Sequence, residues 1–327
     1  MNKNLRGRRL VGGTLGSLAL LATIGVEAQT PPAYTIEDLG VLAGHDSSSA
    51  LAINNSGQVL GYSMPNAGGI VPRGVLWDAG STTPIDLASR VGQQVGTTEA
   101  GGINDVGHLT IVAGFTSADS YLGSTAHFWN GTTLTNVGKL GATAPQSGGA
   151  SVGHSVNNAD EVVGRSAVPM VPASAGATNK PFHWRAGVLR QLELPAECVG
   201  GIAFDVNDNG QIAGTVFGNG SCNAGLAAVW PSATAAPVTI NDVLASVGNS
   251  ADVRVAYGIN DSGAVLAQAR INDRTRCVLF TPPPRAAMVD LGYVGASEPD
   301  TCLPGSVNNR GEAALTQYHI NNPKALL

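Results

Sequence analysis

The amino-acid sequence predicts an all-β fold: a six-bladed β-propeller with four strands per blade, closed by the N-terminal strand. Three features predict it. One short motif returns six times at a nearly fixed step, each repeat places a large aromatic at the same point, and the two chain ends complement each other. Self-similarity with a period of about 50 residues marks a repeat architecture.

The motif first stands at Ile53-Asn54-Asn55-Ser56-Gly57-Gln58. It returns at Ile103-Asn104-Asp105-Val106-Gly107, Val156-Asn157-Asn158-Ala159-Asp160 and Val206-Asn207-Asp208-Asn209-Gly210, then at Ile259-Asn260-Asp261-Ser262-Gly263 and Val307-Asn308-Asn309-Arg310-Gly311. The Asn-to-Asn steps are 50, 53, 50, 53 and 48 residues. In each copy an apolar run ends at the Ile or Val and a tight turn follows. Asn and Asp favour such turns by bonding nearby backbone, and Gly accepts the positive φ that a hairpin needs.

Every repeat then keeps one order. A second strand such as Gln58-Val59-Leu60-Gly61-Tyr62-Ser63 is echoed by Glu161-Val162-Val163-Gly164-Arg165-Ser166 and Gln211-Ile212-Ala213-Gly214-Thr215. A third strand carries the aromatic: Val75-Leu76-Trp77, His127-Phe128-Trp129, Phe182-His183-Trp184, Ala228-Val229-Trp230 and Val278-Leu279-Phe280. All four tryptophans fall at this position, which predicts a wedge in the core between sheets more readily than a ligand platform. A fourth strand ends the unit, as in Pro84-Ile85-Asp86-Leu87 and Val289-Asp290-Leu291-Gly292. Four strands in about 50 residues is the size of one propeller blade.

The ends supply the closure. The sixth repeat has strands near Leu303–Asn308, Glu312–Tyr318 and Pro323–Leu327 and no fourth. Tyr34-Thr35-Ile36-Glu37-Asp38-Leu39-Gly40 matches the fourth-strand pattern of Met288-Val289-Asp290-Leu291-Gly292. The N-terminal segment is therefore expected to complete the last blade, which removes the exposed edge of an open array.

The Ile-Asn-x-x-Gly-Gln-Val-x-Gly pattern, with its strand ending in Trp, resembles the extracellular HAF-repeat family of bacteria over nearly all of residues 34–327. The His-Ala-Phe signature of that family is eroded here: the corresponding strands read Thr125-Ala126-His127-Phe128-Trp129 and Arg73-Gly74-Val75-Leu76-Trp77. The resemblance implies export and a propeller-like fold. It implies no established activity.

Composition fits a turn-rich β protein, with 43 glycines, 13% charged and 43% apolar residues, the last in short alternating runs. Residues 1–28 read as a signal peptide: Lys3, Arg6, Arg8 and Arg9 precede the apolar run Leu10–Val26, and Val26-Glu27-Ala28 is an acceptable cleavage site. Arg8-Arg9 hints at twin-arginine export, although Leu10-Val11-Gly12 fits that pattern poorly. The mature chain, 29–327, is then one propeller domain, extracellular or periplasmic and monomeric, with no integral membrane segment. It carries 14 basic against 22 acidic side chains, a net charge of −8, which argues against nucleic acid as a partner.

Four cysteines in an exported chain suggest two disulfides, with three connectivities possible. No Cys-x-x-Cys pair supports zinc. Counting strand directions in a propeller puts all four on one loop face, and predicts Cys198–Cys222 and Cys277–Cys302.

First strands line the channel of a propeller, and here they differ between blades. Before the Ile-Asn or Val-Asn pair stand Ala52, Gly102, Ser155, Asp205, Gly258 and Ser306, and one step earlier Leu51, Gly101, His154, Phe204, Tyr257 and Gly305. Small residues are the default for a crowded channel. His154, Phe204, Asp205 and Tyr257, with Arg254 nearby, depart from it and form the candidate ligand-binding patch. Against this, strand alternation should turn half of these side chains away, leaving Phe204 and Tyr257 between blades and Asp205 on a turn.

Motifs for catalysis are missing: no Gly-x-Ser-x-Gly, no His-Glu-x-x-His, no Gly-x-x-x-x-Gly-Lys. His45, His108, His127, His154, His183 and His319 are scattered, and His127 and His183 flank core tryptophans. The Asn-Asp-Ser-Gly turns lack the alternating acids of a calcium loop. No metal and no cofactor are expected. The reading is a binding or scaffold module for a glycan, peptide or protein, contacted through the cysteine-bearing face and a mobile Ala167–Lys180 loop. A secreted glycan-active lyase or hydrolase with its site at the channel mouth is the alternative, since paired carboxylates cannot be recognised by spacing.

Overall fold

The computed structural model describes residues 37–65, 72–91, 97–115, 124–141, 149–169, 177–293, 301–318 and 324–326. The expected signal peptide, the start of the expected closing strand at 34–36, and His319 lie outside the described residues.

The fold is an all-β propeller. Six antiparallel sheets succeed one another, each a meander whose strands pair in chain order. Blade one is β1 (Ser47–Ile53), β2 (Val59–Met64), β3 (Arg73–Trp77) and β4 (Ile85–Asp86); blade two is β5 (Thr97–Ile103), β6 (Leu109–Phe115), β7 (Thr125–Trp129) and β8 (Leu134–Gly138). Blade three is β9 (Ser151–Val156), β10 (Val162–Pro169), β11 (Ala177–Arg185) and β12 (Val188–Gln191). Blade four is β13 (Cys198–Val206), β14 (Ile212–Gly218), β15 (Leu226–Trp230) and β16 (Val238–Thr239). Blade five is β17 (Asp252–Ile259), β18 (Val265–Ile271), β19 (Arg274–Thr281) and β20 (Ala287–Asp290). The sixth repeat forms a three-stranded sheet of β21 (Thr301–Val307), β22 (Ala313–Tyr318) and β23 (Lys324–Leu326).

Among the described residues five complete four-stranded blades are thus found, not the six that the sequence predicts. The reason is the missing outer strand of the sixth sheet: of the segment expected to supply it, Glu37–Gly40 is described and belongs to no strand.

Two further expectations are corrected. Pro84–Leu87 is not a full strand, because α1 (Leu87–Arg90) begins right after β4, its N-cap Asp86 accepting the Ala88 N–H. After β16 the same happens with α2 (Ile240–Ser246), capped by the Thr239 hydroxyl on the Asp242 N–H. Leu87, Ile240 and Leu244 are buried, so each helix closes its blade as an apolar plug. The Ala167–Lys180 loop is shorter than expected, since β10 and β11 carry their ladder on through Ala167↔Asn179, Val168↔Thr178 and Pro169↔Ala177.

The recurrent aromatic is the core wedge. Trp77, Trp129, Trp184, Trp230 and Phe280 are all at most 6% exposed. Trp129 of blade two packs with Leu60, Leu76 and Leu87 of blade one, so the wedge seals the gap between neighbouring sheets. The Ile or Val before the Asn does the same closer to the axis in blades two to five: Ile103 joins that cluster, and Val206 packs with Val163 of blade three.

Both disulfides pair as the strand count predicts, and they do different things. Cys198–Cys222 ties β13 to the 3₁₀ turn Gly220–Cys222 within blade four. Cys277–Cys302 joins β19 of blade five to β21 of the sixth repeat. No helix among the described residues is long and apolar enough to cross a membrane.

Candidate binding site in the central channel

Each first strand carries one extra residue at the same place. In β1 the ladder passes from Ala50 to Ala52 and skips Leu51; in β9, β13 and β17 it skips His154, Phe204 and Tyr257. In β5 and β21 the extra residue falls within Gly101-Gly102 and Gly305-Ser306. A bulge breaks the two-residue alternation and re-aims a side chain. Consecutive residues therefore share one face: both His154 and Ser155, and both Phe204 and Asp205, line the axial cavity. The alternation that would have sent half of the patch away from the channel does not apply here.

That cavity has a volume of about 500 Å³. A second, of about 790 Å³, opens among the Asn-x-x-Gly turns, and the two share Ile53, Ile103, Ser155, Asp205 and Ser306. They are two ends of one channel. The first end is a chamber with an aromatic arc on one side. Phe204 stacks on Tyr257 with centroids 5.1 Å apart, and His154 tilts against Phe204 at 5.4 Å.

The polar members of the patch differ in freedom. Asp205 is spoken for: Oδ1 accepts from the Ser155 hydroxyl at 2.7 Å and the Val206 N–H, and Oδ2 from the Ile259 N–H at 2.9 Å. Burial pushes its carboxyl up, outweighing the lowering by these three bonds. Arg254 does not line the chamber; its guanidinium is held 2.7 Å from Asp252. His154 is the opposite case, because its Nε2 is buried without a hydrogen-bond partner. Burial, helped by the Arg165 charge, pushes its imidazole down to about 4, so the ring is neutral near pH 7. Burial also raises the Tyr257 phenol.

At the far end the turns interlock into a belt. The Asn side chains step from blade to blade: Asn54 donates to the Asn104 carbonyl, Asn104 to Asn157, Asn157 to Asn207, Asn207 to Asn260 and Asn260 to Asn308, all at 2.8–3.0 Å. The next residue of each motif forms a second belt, in which the Asn55, Asp105, Asn158, Asp208 and Asp261 N–H groups each donate to the following Asp or Asn side chain. This outer belt was present in the motif as Asn or Asp at one position, and its role escaped the sequence reading because it exists only between blades. The small residues also have an inter-blade reason. A Cβ on Gly101 would meet the Gly153 carbonyl oxygen at 2.1 Å, and one on Gly102 the Ser155 Cα at 2.8 Å.

One position departs from the pattern. Ile53 is 68% exposed, whereas Ile103, Val156, Val206, Ile259 and Val307 are at most 9% exposed. Ile103, Val156, Val206 and Ile259 pack on the preceding blade, whereas Ile53 joins no core cluster among the described residues. His127 Nδ1 lies 2.8 Å from the Thr125 carbonyl, and His183 is buried beside Trp184 with its Nε2 3.4 Å from Glu161.

No family model matches this chain, and a comparison with curated proteins finds no match. Among solved structures it is similar to TolB from Acinetobacter baumannii (12% identity, 74% of this chain and 54% of that one, TM-score 0.47). It is similar to the β-propeller domain of the Trilobed protease from Pyrococcus furiosus (10%, 85% and 81%, TM-score 0.49) and to Trypanosoma rangeli sialidase (11%, 85% and 53%, TM-score 0.46). The chain spans about half the length of TolB and of the sialidase. With TM-scores below 0.5, these likenesses carry no information on what this chain binds.

Proposed function

We propose that this protein is an exported binding or scaffold module, a six-bladed propeller completed by its N-terminal strand, with a ligand site in the central channel. The observation that carries the reading is the aromatic arc: three successive blades use the same bulge to aim His154, Phe204 and Tyr257 into a 500 Å³ chamber. Pockets of about 300–1,000 Å³ with an apolar wall and a few polar groups are the usual size and character of ligand sites.

Closure is supported by the way residues 38–42 sit. The Trp77 indole N–H donates to the Leu39 carbonyl, as Trp230 does to Glu193, which follows the outer strand of blade three. The Leu42 N–H donates to Ser63, as Leu140 after the outer strand of blade two does to Ser166. Gly40 has φ +71° and bonds back to Asp38, as Gly292 does to Asp290 at the end of β20. Residues 38–42 thus make the contacts that follow an outer strand in blades two, three and five, which supports closure by the N-terminal segment.

The test is a thermal-shift screen of residues 29–327 against glycans, peptides and Ca²⁺, with Tyr257→Ala and His154→Ala alongside. A ligand that binds only the folded state raises Tm by mass action. The expected result is a shift with one ligand class that both variants lose; a shift unchanged in both moves the site away from the channel. Cleavage of that ligand would instead favour the lyase or hydrolase reading, which needs a convergent acid and base.

A further inference from the structure

The chamber lining narrows the chemistry of its ligand, given that the channel is the binding site as proposed above. Among the described residues Asp205 is the one charged residue lining the chamber, and both of its oxygens are taken by three donors. An ammonium or guanidinium group entering there would lose its hydration and find no free counter-charge. A carboxylate, sulfate or phosphate would find no cation in the lining. At the far mouth it would also meet Asp105, Asp208 and Asp261, against the single Arg310, whose guanidinium is held 2.9 Å from Glu312. A cleft lined by one sign of charge repels ligands of that sign.

The lining instead offers aromatic surface and uncharged hydrogen-bonding groups. Phe204 and Tyr257 present a stacked pair with His154 tilted against Phe204, Tyr257 brings a phenol and Ser306 a hydroxyl. The opposite wall of Ala52, Gly101 and Gly102 adds no charge. We infer that the channel ligand is an uncharged saccharide, with an apolar ring face against the Phe204–Tyr257 pair and hydroxyls toward the Tyr257 phenol and Ser306. An acidic or basic sugar is rejected.

Fluorine NMR of the fluorotyrosine-labelled protein tests this, with the Tyr257 resonance assigned from Tyr257→Phe. Neutral oligosaccharides (cello-, xylo-, laminari- and chito-oligosaccharides), acidic ones (oligogalacturonate, sialyllactose) and a basic one (chitosan oligomer) are titrated to millimolar concentration. The Tyr257 signal is expected to move with at least one neutral series and with no charged one, and Phe204→Ala should weaken that binding about tenfold. Movement with only an acidic or basic oligomer overturns the inference and leaves the channel site standing. No movement with any probe overturns both. A variant combining Asp105→Asn, Asp208→Asn and Asp261→Asn removes the mouth charge and keeps the Oδ1 acceptors of the outer belt, like those of Asn158 and Asn309, while giving up the Oδ2 bonds from Asn55, Asn158 and Asn309. It should leave neutral binding within about twofold and admit acidic sugars more readily; loss of the neutral ligand in this variant places it at the mouth and overturns the chamber assignment.

Discussion

The carboxylate of Asp205 accepts a hydrogen bond from the backbone N–H of Ile259 at 2.9 Å, across the boundary between blades four and five. The same side chain takes the Ser155 hydroxyl of blade three. One residue therefore pins three blades at the channel wall. Asp205→Ala is expected to leave the Ile259 N–H and the Ser155 hydroxyl without their acceptor and to cost about 2–4 kcal/mol in urea unfolding. A loss under 1 kcal/mol would show that the pin is dispensable.

His154 makes stability pH-dependent. Its folded pKa, about 4, lies below the unfolded value of 6.5, through burial and then the Arg165 charge. A His depressed in this way contributes stability that is present above pH 6.5 and is lost as pH falls toward 4, because the unfolded chain takes up the proton first. The expected contribution is roughly 3 kcal/mol across that window. In His154→Phe the acid limb of the stability curve should flatten by that amount; an identical limb in both proteins would contradict the assignment.

The asparagine belt is predicted to be unequal around the ring. Asn157 is 3% exposed; its Nδ2 donates to Asn207 and Glu161, while Oδ1 accepts the Ala159 and Glu161 N–H groups. Asn157→Ala should cost about 2–4 kcal/mol. The Asn308 side chain makes its bonds within its own turn and is exposed, and its backbone carbonyl still takes the Asn260 amide, so Asn308→Ala should cost under about 1 kcal/mol. Equal losses at the two positions, read from denaturant midpoints, would show the belt to be continuous across the sixth boundary.

The two disulfides should have separable effects. They span 24 and 25 residues, so loop entropy assigns each about 3 kcal/mol. Hydrogen exchange after Cys302→Ser, with Cys277→Ser, is expected to rise in β21 and β22. The Cys198→Ser and Cys222→Ser pair should raise it around 198–222 only. Matching exchange maps would remove the distinction between a link within a blade and one between blades.

Ring closure predicts that deleting Tyr34–Gly40 lowers unfolding cooperativity and exposes the edge of the sixth sheet. The denaturant m-value should fall and the transition broaden. A melting and denaturation profile unchanged by the deletion would count against the ring.

Much of this architecture was legible because a repeat writes its local rules six times. The Asn-x-x-Gly turns, the third-strand aromatics and even the cysteine pairs follow from equivalent positions in successive units. The helical plugs were also readable in principle: Thr239 stands three residues before Asp242, at capping-box spacing, and Asp86 is an N-cap residue type inside the expected strand Pro84–Leu87. The channel patch was only half legible. His154, Phe204, Asp205 and Tyr257 were found as departures from a small-residue rule, but their direction was misjudged and Arg254 was placed with them.

The sequence by itself determined the repeat, the all-β class, the core wedges and the disulfide partners, because each depends on residue type at a recurring position. Only the tertiary structure decided which side chains reach the axis and what they meet there. A bulge is a shift of register between two paired strands, and the Asx belts and the Asp205 pin are bonds between blades some 50 residues apart in the chain. No local preference encodes such contacts; they come into being when six similar sheets pack around one axis.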